Sequence, residues 1–378
     1  MLKTEYSPLL ETFRFANGVE LKNRLVMAPM TNFSSHEDGA VSREELDYYI
    51  RRSGGAGMVI TACVYVNRGG KGFPGEFGAD HDGLLPSLRE LADAIKGQGA
   101  KAVLQIFHGG RQCPPEQLTD GQPVSASAVP SELPGGGTGP VPRPLTDEEI
   151  TGIIADFGEA TRRAIEAGFD GVEIHGANGY LVQQFFSPHS NRRDDRWGGD
   201  LEKRLAFPLA VLRSVKEAVK QHAREAFIVG YRFSPEEPET PGITMKETFA
   251  LIDALTAEGV DYLHASLREL WSLPHRGTED SRTRIEQIVD RAAGKAPVIG
   301  VGSLYTAADA LKSLDTGISL VALGRPLLID PDWVQKVAEG RAHEIKTELD
   351  TKAQAELVIP DPLWRALIHT PGWLPLKQ

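Results

Sequence analysis

The feature that most constrains this chain is a rhythm. Eight short apolar runs, at residues 24–28, 57–61, 102–106, 171–174, 227–231, 262–265, 297–301 and 319–323, alternate with amphipathic stretches. Each run is apolar and rich in β-branched residues, as a strand buried on both faces must be. The stretches at 42–52, 86–97, 148–167, 201–222, 246–258, 282–293, 306–313 and 332–339 carry helical spacing. Thr146 with Glu149 forms a capping-box pattern, and Gly168 and Gly259 stand where left-handed helix caps are expected. Eight strand–helix alternations predict a parallel sheet closed into a (β/α)8 TIM barrel, with an open doubly wound sheet as the alternative. The 378 residues accommodate such a barrel, which takes roughly 250 before insertions.

No repeat or linker interrupts the rhythm, so residues 1–378 are read as one domain. Three segments fall outside the alternation. Residues 1–22 contain Phe13 to Leu21 around Asn17-Gly18, a hairpin pattern able to plug the N-terminal mouth of the 23–340 barrel. Residues 108–145, rich in Gly, Pro and Ser and including Gly135-Gly136-Gly137, form a long loop after the third strand, expected to be a lid or a mobile segment. The 341–378 extension carries Trp364 and Trp373, expected to pack on the barrel or on a second subunit.

Composition excludes several functions. A net charge of −11 argues against a nucleic-acid or anionic-membrane binder. Two cysteines, Cys63 and Cys113, cannot hold a four-cysteine cluster or a structural zinc, and no metal site is expected. The opening residues lack a signal peptide's apolar core, and no run spans a membrane, so the cytoplasm is the default expectation.

In a TIM barrel the chemistry sits at the C-terminal ends of the strands. There the sequence places Ala28-Pro29-Met30-Thr31, Gln105 with His108, His175 to Tyr180, Arg232, Gly302-Ser303 and Gly324-Arg325. A bland barrel has no need of so many polar groups at one mouth. The loops after strands seven and eight are the usual phosphate site of these barrels. Gly302 and Gly324 let backbone N–H groups approach phosphate oxygens, and Arg325 adds a forked cation; tight βα turns alone would also explain the glycines. His175 and Asn178 offer two donors for a carbonyl oxygen, and Tyr180 offers a proton; a polar structural loop is the bland alternative.

These residues resemble the old yellow enzyme family of NAD(P)H:flavin oxidoreductases. The resemblance rests on Leu21 to Thr31, Gln105 to Arg111, His175 to Leu181, Ser190 to Asp195 leading into Trp197-Gly198-Gly199, and Ala322 to Pro326 with Asp330-Pro331-Asp332. It implies FMN, with NADH or NADPH as hydride donor, and reduction of the C=C bond of activated alkenes: hydride passes from flavin N5 to the β carbon and a proton reaches the α carbon. By the same resemblance Ala28, Pro29, Met30 and Ala62 line the flavin, and Thr31 modulates it near O4. Gln105 binds the pyrimidine edge and Arg232 sits by N1 and O2. Gly302, Ser303, Gly324 and Arg325 take the phosphate. His175 and Asn178 hold the substrate carbonyl, Tyr180 protonates the α carbon, and Phe33 and Phe107 wall the pocket.

The chain departs from one branch of the family in carrying Thr31 where that branch has cysteine, and Asn178 where it often has a second histidine. Asn191 to Asp195 are read as a structural tie and Cys113 as incidental. The competing readings are another phosphate-binding barrel enzyme, such as an aldolase, for which no Schiff-base lysine stands at a strand end, and a sensory or non-catalytic flavin protein, which would not require Tyr180 together with His175 and Asn178. A homo-oligomer, most commonly a dimer, is the expected assembly.

Overall fold

The structure, a computed structural model, describes residues 5–132 and 136–377. Its centre is a closed barrel of eight strands: β1 (Leu25–Met27), β2 (Met58–Tyr65), β3 (Lys101–Phe107), β4 (Gly171–Gly176), β5 (Ile228–Phe233), β6 (Tyr262–Ala265), β7 (Val298–Gly300) and β8 (Leu320–Leu323). Every neighbouring pair is parallel, and β8 pairs with β1 to close the ring. Around it lie α1 (Arg43–Ser53), α2 (Leu85–Lys96), α3 (Asp147–Ala167), α4 (Ala206–His222), α5 (Met245–Ala257), α6 (Arg284–Ala292), α7 (Ala307–Ser313) and α8 (Trp333–Ala338). Thr146 and Glu149 close the capping box at the start of α3, and Gly168 ends it at φ +90°.

Two expected elements differ in detail. The 201–222 stretch is a short turn, Leu201–Arg204, followed by α4. Pro208 has no N–H to give the Arg204 carbonyl, so one unbroken ladder is impossible there. Strand β2 runs four residues beyond its apolar run because a register shift between Ile60 and Cys63 lets it follow β3 to Tyr65 and Phe107.

The apolar core has two shells. The outer one packs strands against helices. The inner one fills the barrel with Val26, Met58, Ile60, Val103, Ile228, Ile299 and Leu320, and Phe15, Val19 and Leu21 join it from below. Those three belong to a hairpin in which Phe13–Arg14 pairs antiparallel with Glu20–Leu21. Gly18 turns it at φ +95°, and Asn17 anchors it by donating to the Phe227 carbonyl at 3.2 Å.

The long loop after β3 is fastened to its surroundings in its described part. Arg193 Nη1 donates to the carbonyls of Ala126 (2.9 Å) and Leu145 (2.7 Å), gripping both sides of the loop. Ser125 donates to Gln184 at 2.9 Å, and Arg111 donates to the Val129 and Pro130 carbonyls at 3.1 Å. Gly135 of the glycine run lies outside the described residues. Asn191 donates to the Phe185 and Trp197 carbonyls (2.6 and 2.7 Å), so the 191–195 segment is a structural tie. Cys113 is buried rather than exposed on the loop, its thiol facing the Gly69 carbonyl at 3.6 Å. Trp364 packs on the core from the helix Asp361–His369, while Trp373 reaches the mouth of the barrel. Among the described residues no helix is long and apolar enough to cross a membrane.

Candidate active site

A cavity of about 370 Å³ opens at the C-terminal end of the strands, a size typical of cofactor and small-molecule sites. Ala28, Pro29, Met30, Thr31 and Phe33 line it after β1, Arg232 from β5, Gly302 and Ser303 after β7, and Gly324 and Arg325 after β8. Leu267 and Trp373 complete its wall. Ten residues expected at the site from the sequence thus share one space, although up to 297 positions separate them.

One end is built for an anion. Gly302 sits at φ +146°, and a Cβ there would lie 2.5 Å from the Leu270 backbone nitrogen, so no other residue fits. Ser303 follows in the left-handed region at φ +53°. Its hydroxyl accepts from Arg325 Nη2 at 2.6 Å and donates to Glu269 Oε1 at 2.6 Å, while Arg325 Nη1 donates to the Trp373 carbonyl at 3.4 Å. Among the described residues the backbone N–H groups of Gly302, Ser303, Gly324 and Arg325 donate to no protein carbonyl. Four free backbone donors beside one guanidinium are the donor set of a phosphate cradle. At the other end Arg232 is buried, with its Nε unpartnered. Such an orphaned cationic donor is costly unless a bound group accepts from it.

The three expected residues after β4, His175, Asn178 and Tyr180, do not line this cavity; Asn178 instead lines a separate one of about 280 Å³ with Arg111, Gln112 and Ser234. His175 is buried, and this desolvation, helped by Arg232, lowers its pKa to about 3, so the ring is neutral. Its Nδ1 accepts the Ala177 N–H at 3.3 Å, which puts the ring proton on Nε2. Asn178 adopts φ +58°, a conformation asparagine tolerates better than most residues. Its N–H donates to Ser234 Oγ at 2.9 Å and its Oδ1 accepts from Ser266 Oγ at 3.1 Å. Ser266 in turn accepts from Arg232 Nη2 at 3.2 Å. The side-chain oxygen of Asn178 is therefore tied back, and its NH2 remains as the outward donor. Tyr180 stands edge-on to His175 and to Phe107, both at 5.0 Å between ring centres. Burial pushes its phenol well above the ordinary value, so it keeps its proton at neutral pH.

Of the remaining expected residues, Gln105, Ala62 and Phe107 stand outside the cavity lining. Gln105 is buried inside the barrel, donating through Nε2 to Glu173 Oε1 at 2.6 Å. Glu173 Oε2 also meets Tyr262 Oη at 2.9 Å and His264 Nδ1 at 2.8 Å. Thr31 lines the cavity, while Cys63 is buried. Ala62 does not join the cavity lining; its N–H donates to Tyr49 Oη at 2.7 Å and its carbonyl accepts from Thr61 at 2.8 Å. Phe107 is fully buried beneath Tyr180, and only Phe33 of the two expected aromatic walls touches the cavity. Sequence reading passed over Ser266, Tyr262 and His264, and it expected Trp373 on the barrel or a second subunit without a place at this mouth. The only local signal was an acidic residue in an otherwise apolar buried strand. Among the described residues no cluster of His, Cys, Asp or Glu is arranged to hold a metal ion.

Comparison with known proteins agrees with this geometry. The model of the NADH:flavin oxidoreductase / NADH oxidase family matches residues 8–344. The probable NADH-dependent flavin oxidoreductase YqiG of Bacillus subtilis is 52% identical over 377 residues, covering 100% of both chains. The NADH:fumarate oxidoreductase of Klebsiella pneumoniae is 46% identical over 96% of this chain, which spans only 39% of that protein's length. The structure of the old yellow enzyme from Trypanosoma cruzi superposes with a TM-score of 0.76 at 30% identity, covering 89% of this chain and 93% of that one. The chain therefore belongs to the NADH:flavin oxidoreductase / NADH oxidase family, as an FMN-dependent, nicotinamide-reduced oxidoreductase on an old yellow enzyme-type TIM barrel.

Proposed function

We propose that this enzyme reduces the C=C bond of activated alkenes such as enones, maleimides and nitroalkenes, with His175, Asn178 and Tyr180 as its substrate-facing groups. The observation that carries the reading is the segment after β4: a neutral imidazole with its proton on Nε2, an amide whose oxygen is tied through Ser266 to the cavity-lining Arg232, and a protonated phenol edge-on to that imidazole. Two donors converging on a carbonyl or nitro oxygen stabilise the negative charge that builds there as the β carbon is attacked. Tyr180, held protonated by burial, delivers the proton to the α carbon.

The cradle formed by Gly302, Ser303, Gly324 and Arg325 fits the phosphate of FMN, and Arg232 fits the electron-rich edge of its ring. FMN bound there supplies the hydride, leaving the protein to orient and polarise the substrate. Pro29, Met30 and Phe33 exclude water on one side, with Leu267 and Trp373 on the other. Thr31 stands in the cavity lining where one branch of the family has a cysteine, so a hydroxyl rather than a thiol faces the cofactor.

The test is anaerobic. NADH or NADPH should bleach the yellow holoenzyme, and 2-cyclohexenone, N-phenylmaleimide or a nitroalkene should restore its colour with formation of the saturated product. Bleached enzyme that none of the three classes reoxidises would leave a flavin protein without alkene reductase activity.

A further inference from the structure

Glu173 is a wholly buried carboxylate that the proposed chemistry does not use. It points into the barrel from β4, in register with Gln105 of β3 and Gly230 of β5. The layer above it holds His175, Arg232 and His264, which are in register with one another across β4, β5 and β6. Gly230 makes the arrangement possible: a Cβ there would fall 2.0 Å from the Tyr262 ring, so only glycine lets Tyr262 reach across to Glu173. The carboxylate meets Gln105 Nε2 at 2.6 Å, Tyr262 Oη at 2.9 Å and His264 Nδ1 at 2.8 Å. A buried carboxylate so provided with donors is held ionised, and its charge acts on Arg232, whose Nε has no partner.

We propose that Glu173 is a positioning residue for the flavin: it fixes the amide of Gln105 and, by countering the charge of Arg232, holds down the reduction potential of bound FMN. The inference rests on the reading that Gln105 and Arg232 face the flavin. With one Nε2 hydrogen committed to Glu173, the Gln105 amide cannot flip, and its oxygen faces away as an acceptor. Arg232 unopposed would favour the anionic reduced cofactor; a carboxylate beside it weakens that preference and leaves the reduced enzyme a stronger hydride donor.

The experiment compares midpoint potentials of the FMN holoenzymes of wild type, Glu173→Gln and Glu173→Asp by dye-equilibrated anaerobic reduction. Glu173→Gln should favour the reduced form on the order of tenfold, about 30 mV upward for a two-electron couple. Glu173→Asp, which keeps the charge, should stay close to wild type. An unshifted or lowered potential in Glu173→Gln, or equal shifts in both variants, would overturn the proposal. Should Glu173→Gln fail to fold, Tyr262→Phe is the second probe. It leaves the ring seated on Gly230 and removes one donor, with His264, Arg232, His175 and Gln105 still facing the carboxylate. Glu173 then takes up a proton as pH falls, so the potential should rise above wild type at low pH and rejoin it at high pH. A constant offset, or none, would refute the idea. Wild-type protein that binds no FMN would instead remove the site reading beneath it.

Discussion

Tyr180→Phe separates the two half-reactions. The substitution keeps the ring, and with it the edge-on contacts to Phe107 and His175 at 5.0 Å, so fold and cofactor binding should persist. Only the hydroxyl is lost. General acids contribute about 10² to 10⁴ in rate, about 3 to 5 kcal/mol of barrier. The surroundings favour the upper half of that range because no neighbour is a ready substitute. His175 is neutral with a pKa of about 3, so its remaining proton is a poor acid. The thiols of Cys63 and Cys113 are buried, and that burial pushes both well above their usual range. A loss of roughly a thousandfold or more is therefore expected in reoxidation by 2-cyclohexenone, with reduction by NADH unchanged. Anaerobic stopped-flow at the flavin absorbance reads the two rates independently. Equal losses in both half-reactions, or full alkene turnover, would refute the assignment of Tyr180 as the acid.

Arg325→Ala should weaken FMN by roughly 10- to 150-fold, the loss of about 1.5–3 kcal/mol of charge-assisted hydrogen bonding, and leave riboflavin unaffected; flavin-fluorescence titration of the apoprotein decides, and equal weakening of both flavins would contradict the cradle. Gly302→Ala, which drives a Cβ to 2.5 Å from the Leu270 nitrogen, should abolish FMN retention on gel filtration, and a yellow variant would show that the turn has slack. Glu45 supplies a stability test. Burial raises its pKa to about 7, so the folded state keeps a proton that the unfolded chain has released. Its contribution is fully present below pH 4.5 and is lost as pH rises through about 7. Glu45→Gln should therefore gain over wild type between pH 5 and 8, by up to about 3 kcal/mol, and a melting-temperature difference that does not change with pH would be the contrary result.

The barrel was legible because its strands, buried on both faces, read as short runs dominated by apolar residues, while helices α1 to α8 carry a polar side. The residues of the proposed phosphate end were legible for a local reason: Gly302 and Gly324 each follow an apolar run directly, and Arg325 follows Gly324. What escaped notice lies in contacts between distant positions. Ser266 touches Asn178 across 88 residues, and His264 and Tyr262 touch Glu173 across 91 and 89. Nothing local marks such pairs, since the partners meet only when the barrel closes β4 against β5 and β5 against β6. Trp373 was expected to pack on the barrel or a second subunit, but a tryptophan in a tail does not announce that its carbonyl will accept from Arg325. The fastening of the loop after β3 was not legible, because its Gly and Pro content says nothing of the Arg193 side chain that holds it from another segment.

The account comes down to two hydrogens of different origin being added to one double bond at this mouth. Turnover of 2-methylcyclohexenone with unlabelled NADH in deuterium oxide, read by NMR of the product, follows both. The hydrogen reaching the α carbon passes through the exchangeable phenol of Tyr180, so deuterium should appear there, and the β carbon should carry only hydrogen from the nicotinamide. Solvent deuterium at the β carbon, or none at the α carbon, would contradict the assignment of donor and acid made from these residues.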